Sequence, residues 1–279
     1  MDWRSALAIT IGAGLLPAAH ANEPALTVSI GDNAASYAPA ALLALPAAVA
    51  IRVPADVTYQ REMNYNAIPV ASLLAGVRAD ESVRFVARDG FVATLPASAL
   101  LAGGDGARAY LAIESTDAPW PPIKPGDAAS AGPFYVVWLR PEKGAIVREQ
   151  WPYQVTRIET VAPLAKRFPM LAPAATLSAK DPVRRGFDSY VKNCSVCHTV
   201  NLGGDSTMGP DLNVPYNPTE YMRPDAMRRL IRDPQSLRKW AQTRMPSFGV
   251  QVISDRELND LLAYLRHMAD RKSTTAAAR

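Results

Sequence analysis

Residues 193–200, NCSVCHTV, contain both cysteines of the 279-residue chain, three positions apart, with His198 directly after the second. A C-x-x-C pair can be a redox-active dithiol, half of a zinc site or, when a histidine follows, a covalent haem attachment site. The three interpretations place different demands on the rest of the sequence.

The supply of other ligands separates these interpretations. A structural zinc ion needs about four ligands, yet the only other histidines are His20 and His267 and there is no second cysteine pair. A thioredoxin-like dithiol gives the following histidine no role. In the haem interpretation, Cys194 and Cys197 form thioethers to the vinyl groups and His198 is the proximal iron ligand. The motif therefore predicts one covalent haem c per chain.

Haem is attached to such a motif outside the cytoplasm, so this interpretation requires an export signal. Arg4 precedes an apolar run over 6–16, and residues 19–21, Ala-His-Ala, fit a small-x-small cleavage site. The run is well short of the ~20 residues that span a bilayer. We expect residues 1–21 to be a cleaved signal peptide, no transmembrane segment to follow, and the mature protein to be periplasmic.

Charge is spread unevenly along the chain. Residues 176–279 carry 16 Lys and Arg against 11 Asp and Glu, whereas residues 22–175 carry 13 against 14. Two interpretations stay open: a solvated helix face, or a docking rim for an acidic redox partner, since complementary charge speeds encounter. Export argues against nucleic acid as the partner. The basic rim comprises Arg223, Arg228, Arg229, Arg232, Arg238, Lys239 and Arg244.

The sequence after the proline-rich passage 161–180, which we predict to be a linker, indicates helices. Asp181 can cap a first helix on which Gly186, Tyr190 and Cys194 recur every four residues on one face. Glycine is unfavourable inside a helix, so its presence indicates the close approach of another helix.

The partner helix is predicted over 254–270. Ser254 and Glu257 form a capping box, and Tyr264 is placed to pack on the Gly186 notch. Two short helical pieces are predicted between these helices, PDAMRRLIRD from Pro224 and QSLRKWAQ, which carries Trp240. The apolar stripe of the last helix is Leu258, Leu261, Leu262 and Leu265.

A methionine is the expected sixth iron ligand, because His/Met ligation is typical of electron-transfer haems. Met245 stands in the loop TRMPSFG, where Pro246 stiffens the backbone and Gly249 permits a turn. We therefore predict Met245. The other candidates are less suited: Met63 and Met170 precede the motif, Met208 follows His198 too closely, Met227 lies on a helix face, and Met268 and His267 lie late on the last helix.

Residues 181–270 resemble class I cytochromes c. The matching pieces are Gly186-x3-Tyr190-x3-Cys194, CSVCH, GPDL at 209–212, MPSF at 245–248 and LLAYLR at 261–266, in the family's order. The resemblance implies a small all-α domain around one haem, with His198 and Met245 as axial ligands. It also implies that the Pro210 carbonyl accepts a hydrogen bond from the His198 ring, and we count Trp240 among the haem-binding residues.

Residues 22–160 predict a β-rich α+β domain. LTVSI, SVRFVA and FVATL indicate strands, the last two joined as a hairpin by Asp89-Gly90. ARAYLAIES, GPFYVVWLR and YQVTRIET continue the β signal, and VASLLAGV indicates a short helix. Acidic residues such as Asp89, Glu114 and Glu149 form no recognisable cluster in the sequence.

Several pieces of this domain resemble the molybdopterin-binding fold of the sulfite-oxidase family. They are YNAIPVASLL (65–74), VRFVARDGFVATLP (83–96), GPFYVV (132–137) and EQWPYQVTRIE (149–159). That family holds molybdenum through a cysteine thiolate, whereas this chain has no cysteine before Cys194. The resemblance thus implies the fold without its metal, and molybdopterin is not expected.

Together these observations predict a periplasmic monohaem electron-transfer protein with domains at 22–160 and 181–279. The first domain would dock the haem domain to a redox partner protein or membrane respiratory complex, so an enzyme is not the leading interpretation. A molybdenum-dependent, sulfite-type dehydrogenase that passes electrons to its own haem is the alternative. A haem sensor is a third possibility and would need a labile Met245–iron bond.

Overall fold

The computed structural model describes residues 25–124, 126, 128–206, 208–239 and 245–273. The expected signal peptide, Trp240 and Arg244 lie outside these residues. The described chain is mixed α+β, with a β-rich N-terminal region and a helical C-terminal region. Within these ranges, no helix is long and apolar enough to cross a bilayer.

Two sheets make up the N-terminal region. A five-stranded sheet has the order β2-β1-β9-β5-β6, in which β1 and β9 run parallel, and a four-stranded antiparallel sheet has the order β3-β4-β7-β8. The strands are β1 Leu26–Ile30, β2 Asn33–Tyr37, β3 Val49–Val53, β4 Met63–Pro69, β5 Ser82–Ala87, β6 Val92–Pro96, β7 Arg108–Ile113, β8 Phe134–Leu139 and β9 Val155–Val161.

All six strands indicated by the sequence are present, and β5 and β6 form the expected hairpin. β7 and β8 are almost continuously apolar because both of their faces are buried. Sequence analysis missed β2, β3 and β4. β4 alternates buried Met63 and Tyr65 with exposed Asn64 and Asn66, so its period-two signal was legible. Three short helices complete the region: α1 Pro39–Leu43, α2 Val70–Leu73 and α3 Ala97–Leu100.

The C-terminal region is built on two helices that cross at a glycine. A side chain at Gly186 would collide with the Asp260 carbonyl and with Tyr264 Cβ, which confirms the predicted notch. Arg185 reinforces the crossing through Nε and Nη2, which donate to the Asp260 carboxylate over 2.7 and 3.0 Å. The helices are α4 Leu164–Arg167, α5 Pro182–Asn193, α6 Pro218–Tyr221, α7 Pro224–Arg232, α8 Pro234–Leu237 and α9 Asp255–Ala269.

Both helix starts follow the predicted chemistry. The Asp181 side chain accepts from the Val183 backbone N–H at the start of α5. Ser254 and Glu257 form a reciprocal capping box at the start of α9. These caps define the residues at which α5 and α9 begin, and the rest of the domain packs on this pair of helices.

The passage 161–180 is more ordered than a linker. It forms α4 and a 3-10 turn over Pro169–Leu171, and Leu164 and Leu171 are buried in the helical core. The Tyr264 hydroxyl donates to the Leu171 carbonyl over 2.8 Å. The sequence analysis weighed the prolines and overlooked the apolar residues between them, which dock the passage on the helical domain.

A buried ionic cluster joins the two regions. Asp205, in the loop after the cysteine motif, accepts from Arg84 of β5 over 2.7 Å and from both Nη atoms of Arg167 over 2.5 and 2.6 Å. Thr94 of β6 adds a hydrogen bond of 3.3 Å. Burial opposes the charge on Asp205, but the hydrogen bonds from Arg167 and Arg84 outweigh it and lower its pKa. Removing one partner from such a buried cluster typically costs about 3–5 kcal/mol.

Candidate functional site

The cysteine motif forms a tight turn directly after α5. The Cys194 N–H donates to the Tyr190 carbonyl over 2.8 Å, and the N–H groups of Cys197 and His198 donate to the Cys194 carbonyl over 3.0 and 2.9 Å. Both thiols are free and half-buried. The turn therefore presents two thiols and an imidazole from one compact, hydrogen-bonded unit.

The His198 ring is oriented by the segment over 209–210. Its Nδ1 lies 2.8 Å from the Pro210 carbonyl oxygen. Since a carbonyl can only accept, the proton is on Nδ1 and the Nε2 lone pair is available to a metal. Gly209 packs on the ring so closely that an added Cβ would lie 2.5 Å from His198 Cε1. Burial lowers the pKa of His198, which favours the neutral imidazole that metals bind.

Asp211 holds the loop that carries this carbonyl. Its Oδ2 accepts from the Thr199 hydroxyl and the Leu202 N–H, each over 2.7 Å. Its Oδ1 accepts from the N–H groups of Asn213 and Val214 over 2.8 and 2.7 Å. Four donors thus converge on one carboxylate. The GPDL motif can be understood physically: glycine leaves room for the imidazole, proline supplies the acceptor, and aspartate shapes the loop.

A ladder of buried asparagines ties this loop to the end of α9. Asn213 Nδ2 donates to Asn201 Oδ1 and to the Met268 carbonyl, both over 2.7 Å. Asn217 Nδ2 donates to Asn213 Oδ1 and to the Leu265 carbonyl, both over 2.8 Å. Sequence analysis missed this ladder, although three asparagines within 201–217 were a legible signal.

The structure distinguishes the possible sixth ligands by their surroundings. Met227 and Met268 are buried in the helical core, and Met63 is buried in the N-terminal core. His267 is occupied, because its Nε2 accepts from the Ala174 N–H over 3.1 Å. Met245 is half-buried and packs against the edge of the helical core. Met208, beside Gly209, is also half-buried, and Met170 packs on Gly203. Met222 is half-buried and packs against the helical core, as Met245 does.

The N-terminal region places a carboxyl group near this site. Burial first, and then the proximity of Glu149, raise the pKa of Cys194 to about 12 and that of Cys197 to about 11. Burial also raises the pKa of Glu149 itself. Oε2 of Glu149 is buried and has no hydrogen-bond partner within the described structure. Glu149 was noted in the sequence as an isolated acid, and only the fold shows that it lies near the cysteine turn.

Residues 183–269 match the Cytochrome c family model. No curated protein matches the chain. The match covers the turn, the His198 loop, the Met245 loop and both crossing helices, and leaves the β-rich region unassigned. The helical C-terminal region is thus a cytochrome c domain, which implies haem c and haem-based electron transfer.

The residues present fit that group. Two free thiols lie three positions apart, the neighbouring imidazole has Nε2 available, and a glycine leaves its ring unobstructed. Cys194 and Cys197 would hold the porphyrin through thioethers, and His198 would ligate the iron. When bound, the haem supplies one-electron redox chemistry; the protein supplies the axial ligand, its orientation and the burial.

We expect Asp211→Asn to loosen the His198 loop, because the amide cannot accept at both positions and its N–H₂ faces donors. Hydrogen bonds to charged groups contribute about 1.5–3 kcal/mol each, so the variant should lose about 3 kcal/mol in the free energy of unfolding. Thermal unfolding followed by haem absorption measures the effect. The matched control is Asp225→Asn, whose carboxylate pairs with Arg223 at the surface; equal melting temperatures would contradict the role of Asp211.

Proposed function

We propose that the protein is a periplasmic monohaem c-type cytochrome that transfers single electrons and whose β-rich region docks it to a redox partner. The observation that carries the proposal is the His198 ring, oriented by the Pro210 carbonyl beside the two thiols. A carbonyl that accepts from the far ring nitrogen in this way fixes the tautomer and raises the basicity of the ligand. Such an arrangement suits a metal ion that stays bound to the imidazole of His198.

The proposed sixth ligand is Met245. Its half-buried position at the edge of the helical core, next to Pro246, contrasts with the full burial of Met227 and Met268. A thioether is a soft ligand that favours ferrous iron and raises the reduction potential. With His198 and Met245 both bound, the iron has no open position for substrate, which favours a carrier of electrons over a haem catalyst.

The β-rich region is proposed to be a docking module, related in fold to the molybdopterin-binding domains but lacking their metal. Support comes from the chain itself, because its only two thiols would be thioethers and hard carboxylates hold molybdenum poorly in that role. The Asp205 cluster supports a fixed placement of the module on the haem domain. The alternative is a molybdenum-dependent dehydrogenase, which stoichiometric molybdenum and sulfite-dependent haem reduction would favour.

The proposed docking surface is the basic rim without Arg232. Arg223, Arg229, Arg238 and Lys239 are exposed, and Arg228 is half-buried with a hydrogen bond to Asn259. Tyr216 and Tyr221 nearby in sequence are 70% and 68% exposed. Exposed tyrosines together with arginines are typical of protein interfaces. Arg232 is excluded from this surface, because its guanidinium is used inside the domain.

The ligand assignment predicts different outcomes for two methionines. Met245→Ala should abolish the weak near-infrared sulfur–iron absorption of the oxidised protein and lower its reduction potential, because the thioether is lost. Met208→Ala should leave both unchanged. Absorption spectroscopy and potentiometric titration of the two variants test this assignment, and the reverse pattern would refute it.

The docking surface predicts a salt-dependent rate. Arg228→Glu combined with Arg229→Glu should slow oxidation by ferricyanide, an anionic probe, several-fold at low salt. The difference should vanish near 1 M salt, where the Debye length is ~3 Å. Arg256→Glu combined with Arg266→Glu makes the same change in net charge on α9, outside the rim. Equal rates for the two double variants at low salt would favour the solvated-face interpretation.

A further inference from the structure

Arg232, the last residue of α7, binds two separate parts of the chain. Its Nη1 donates to the Phe248 carbonyl over 2.8 Å and to the Ile253 carbonyl, and its Nη2 donates to Asp255 over 2.8 Å. The side chain is only 21% exposed. The planar guanidinium fork suits such a cluster, since it presents several donors in fixed directions.

These contacts hold the segment that directly follows Met245. Phe248 stands three residues after the methionine and is 5% exposed, and its N–H donates to the Ile231 carbonyl over 3.1 Å. The N–H and the carbonyl of Phe248 are therefore both bound to the end of α7. Ile253 and Asp255, at the far end of the loop, meet the same guanidinium. Arg232 thus links Phe248 to Ile253 and Asp255, and together with the Phe248 N–H bond it fixes the segment after Met245 to the end of α7.

We infer that Arg232 is a positioning residue for the sixth iron ligand: it fixes the segment 248–255 to the end of α7 and so would keep the Met245 thioether on the iron. The inference rests on the proposed ligation by Met245. It assigns Arg232 a role that differs from the docking role its charge first suggested. Neighbouring Arg228 and Arg229 lie on the same helix but do not reach this loop in the hydrogen bonds that the structure shows.

The physical basis is competition for the sixth position. A thioether is a weak ligand for ferric iron, so an added imidazole can displace it. The apparent affinity for the competitor depends on the fraction of molecules in which the methionine is off the iron. Releasing two carbonyls and one carboxylate from Arg232 frees the loop, raises that fraction and strengthens imidazole binding.

The test measures imidazole binding to the oxidised holoprotein by absorption. Arg232→Gln should bind imidazole about tenfold more tightly, equivalent to about 1.4 kcal/mol, and should show a weaker near-infrared sulfur–iron absorption. Arg232→Lys retains a cation but has fewer donors, so its imidazole affinity should lie between those of the wild type and Arg232→Gln. It provides the test if the glutamine variant does not fold. Arg256→Gln makes the same chemical change on α9 and should match the wild type. Asp255→Asn removes only the ion pair and should change the affinity little.

Each outcome separates the inference from the proposed function. A lowered melting temperature with unchanged imidazole affinity in both Arg232 variants would make the residue merely structural and overturn the inference. If the wild type lacks the sulfur–iron absorption and Met245→Ala does not change imidazole affinity, the proposed ligation itself fails. If the wild type shows that absorption but the Arg232 variants bind imidazole with the same affinity as Arg256→Gln, the positioning role alone is refuted.

Discussion

The hydrogen bond between His198 Nδ1 and the Pro210 carbonyl is the constraint around which the C-terminal region is arranged. It is short, at 2.8 Å, and it requires that His198 in the turn after α5 and Pro210, twelve residues later, meet in one orientation. Asp211 shapes the loop and the buried asparagines tie it to α9. α9 in turn crosses α5 at Gly186, and α5 leads directly into the turn that carries the cysteines.

The two regions are coupled by charge near the same site. Asp205, only a few residues after His198, is held by arginines from β5 and from α4. Glu149 reaches towards the cysteine turn from the N-terminal side with an unpaired buried oxygen. A carboxylate near a haem would stabilise the ferric state, and burial, which raises the pKa of Glu149, limits how far that charge is present.

Much of this structure was accessible from sequence because the relevant signals were local. Caps such as Ser254 with Glu257, the glycine notch and the hairpin of β5 and β6 follow from short-range chemistry, and the structure shows them. The Asp205 cluster and the contacts of Arg232 join residues whose pairing no local periodicity marks, so no pattern in a short window could reveal them. For the same reason Arg232 was counted as a surface charge, and 161–180 was taken for a linker although Leu164 and Leu171 are core residues.

The central claim is that Cys194 and Cys197 carry one covalent haem whose iron is bound by His198. The most direct measurement is the intact mass of the purified, acid-denatured chain, together with that of the proteolytic peptide containing residues 193–200. The account predicts that both masses are increased by one haem and that acid–acetone leaves the haem attached. Masses equal to those of the unmodified chain and peptide, with extractable haem or none, would contradict it.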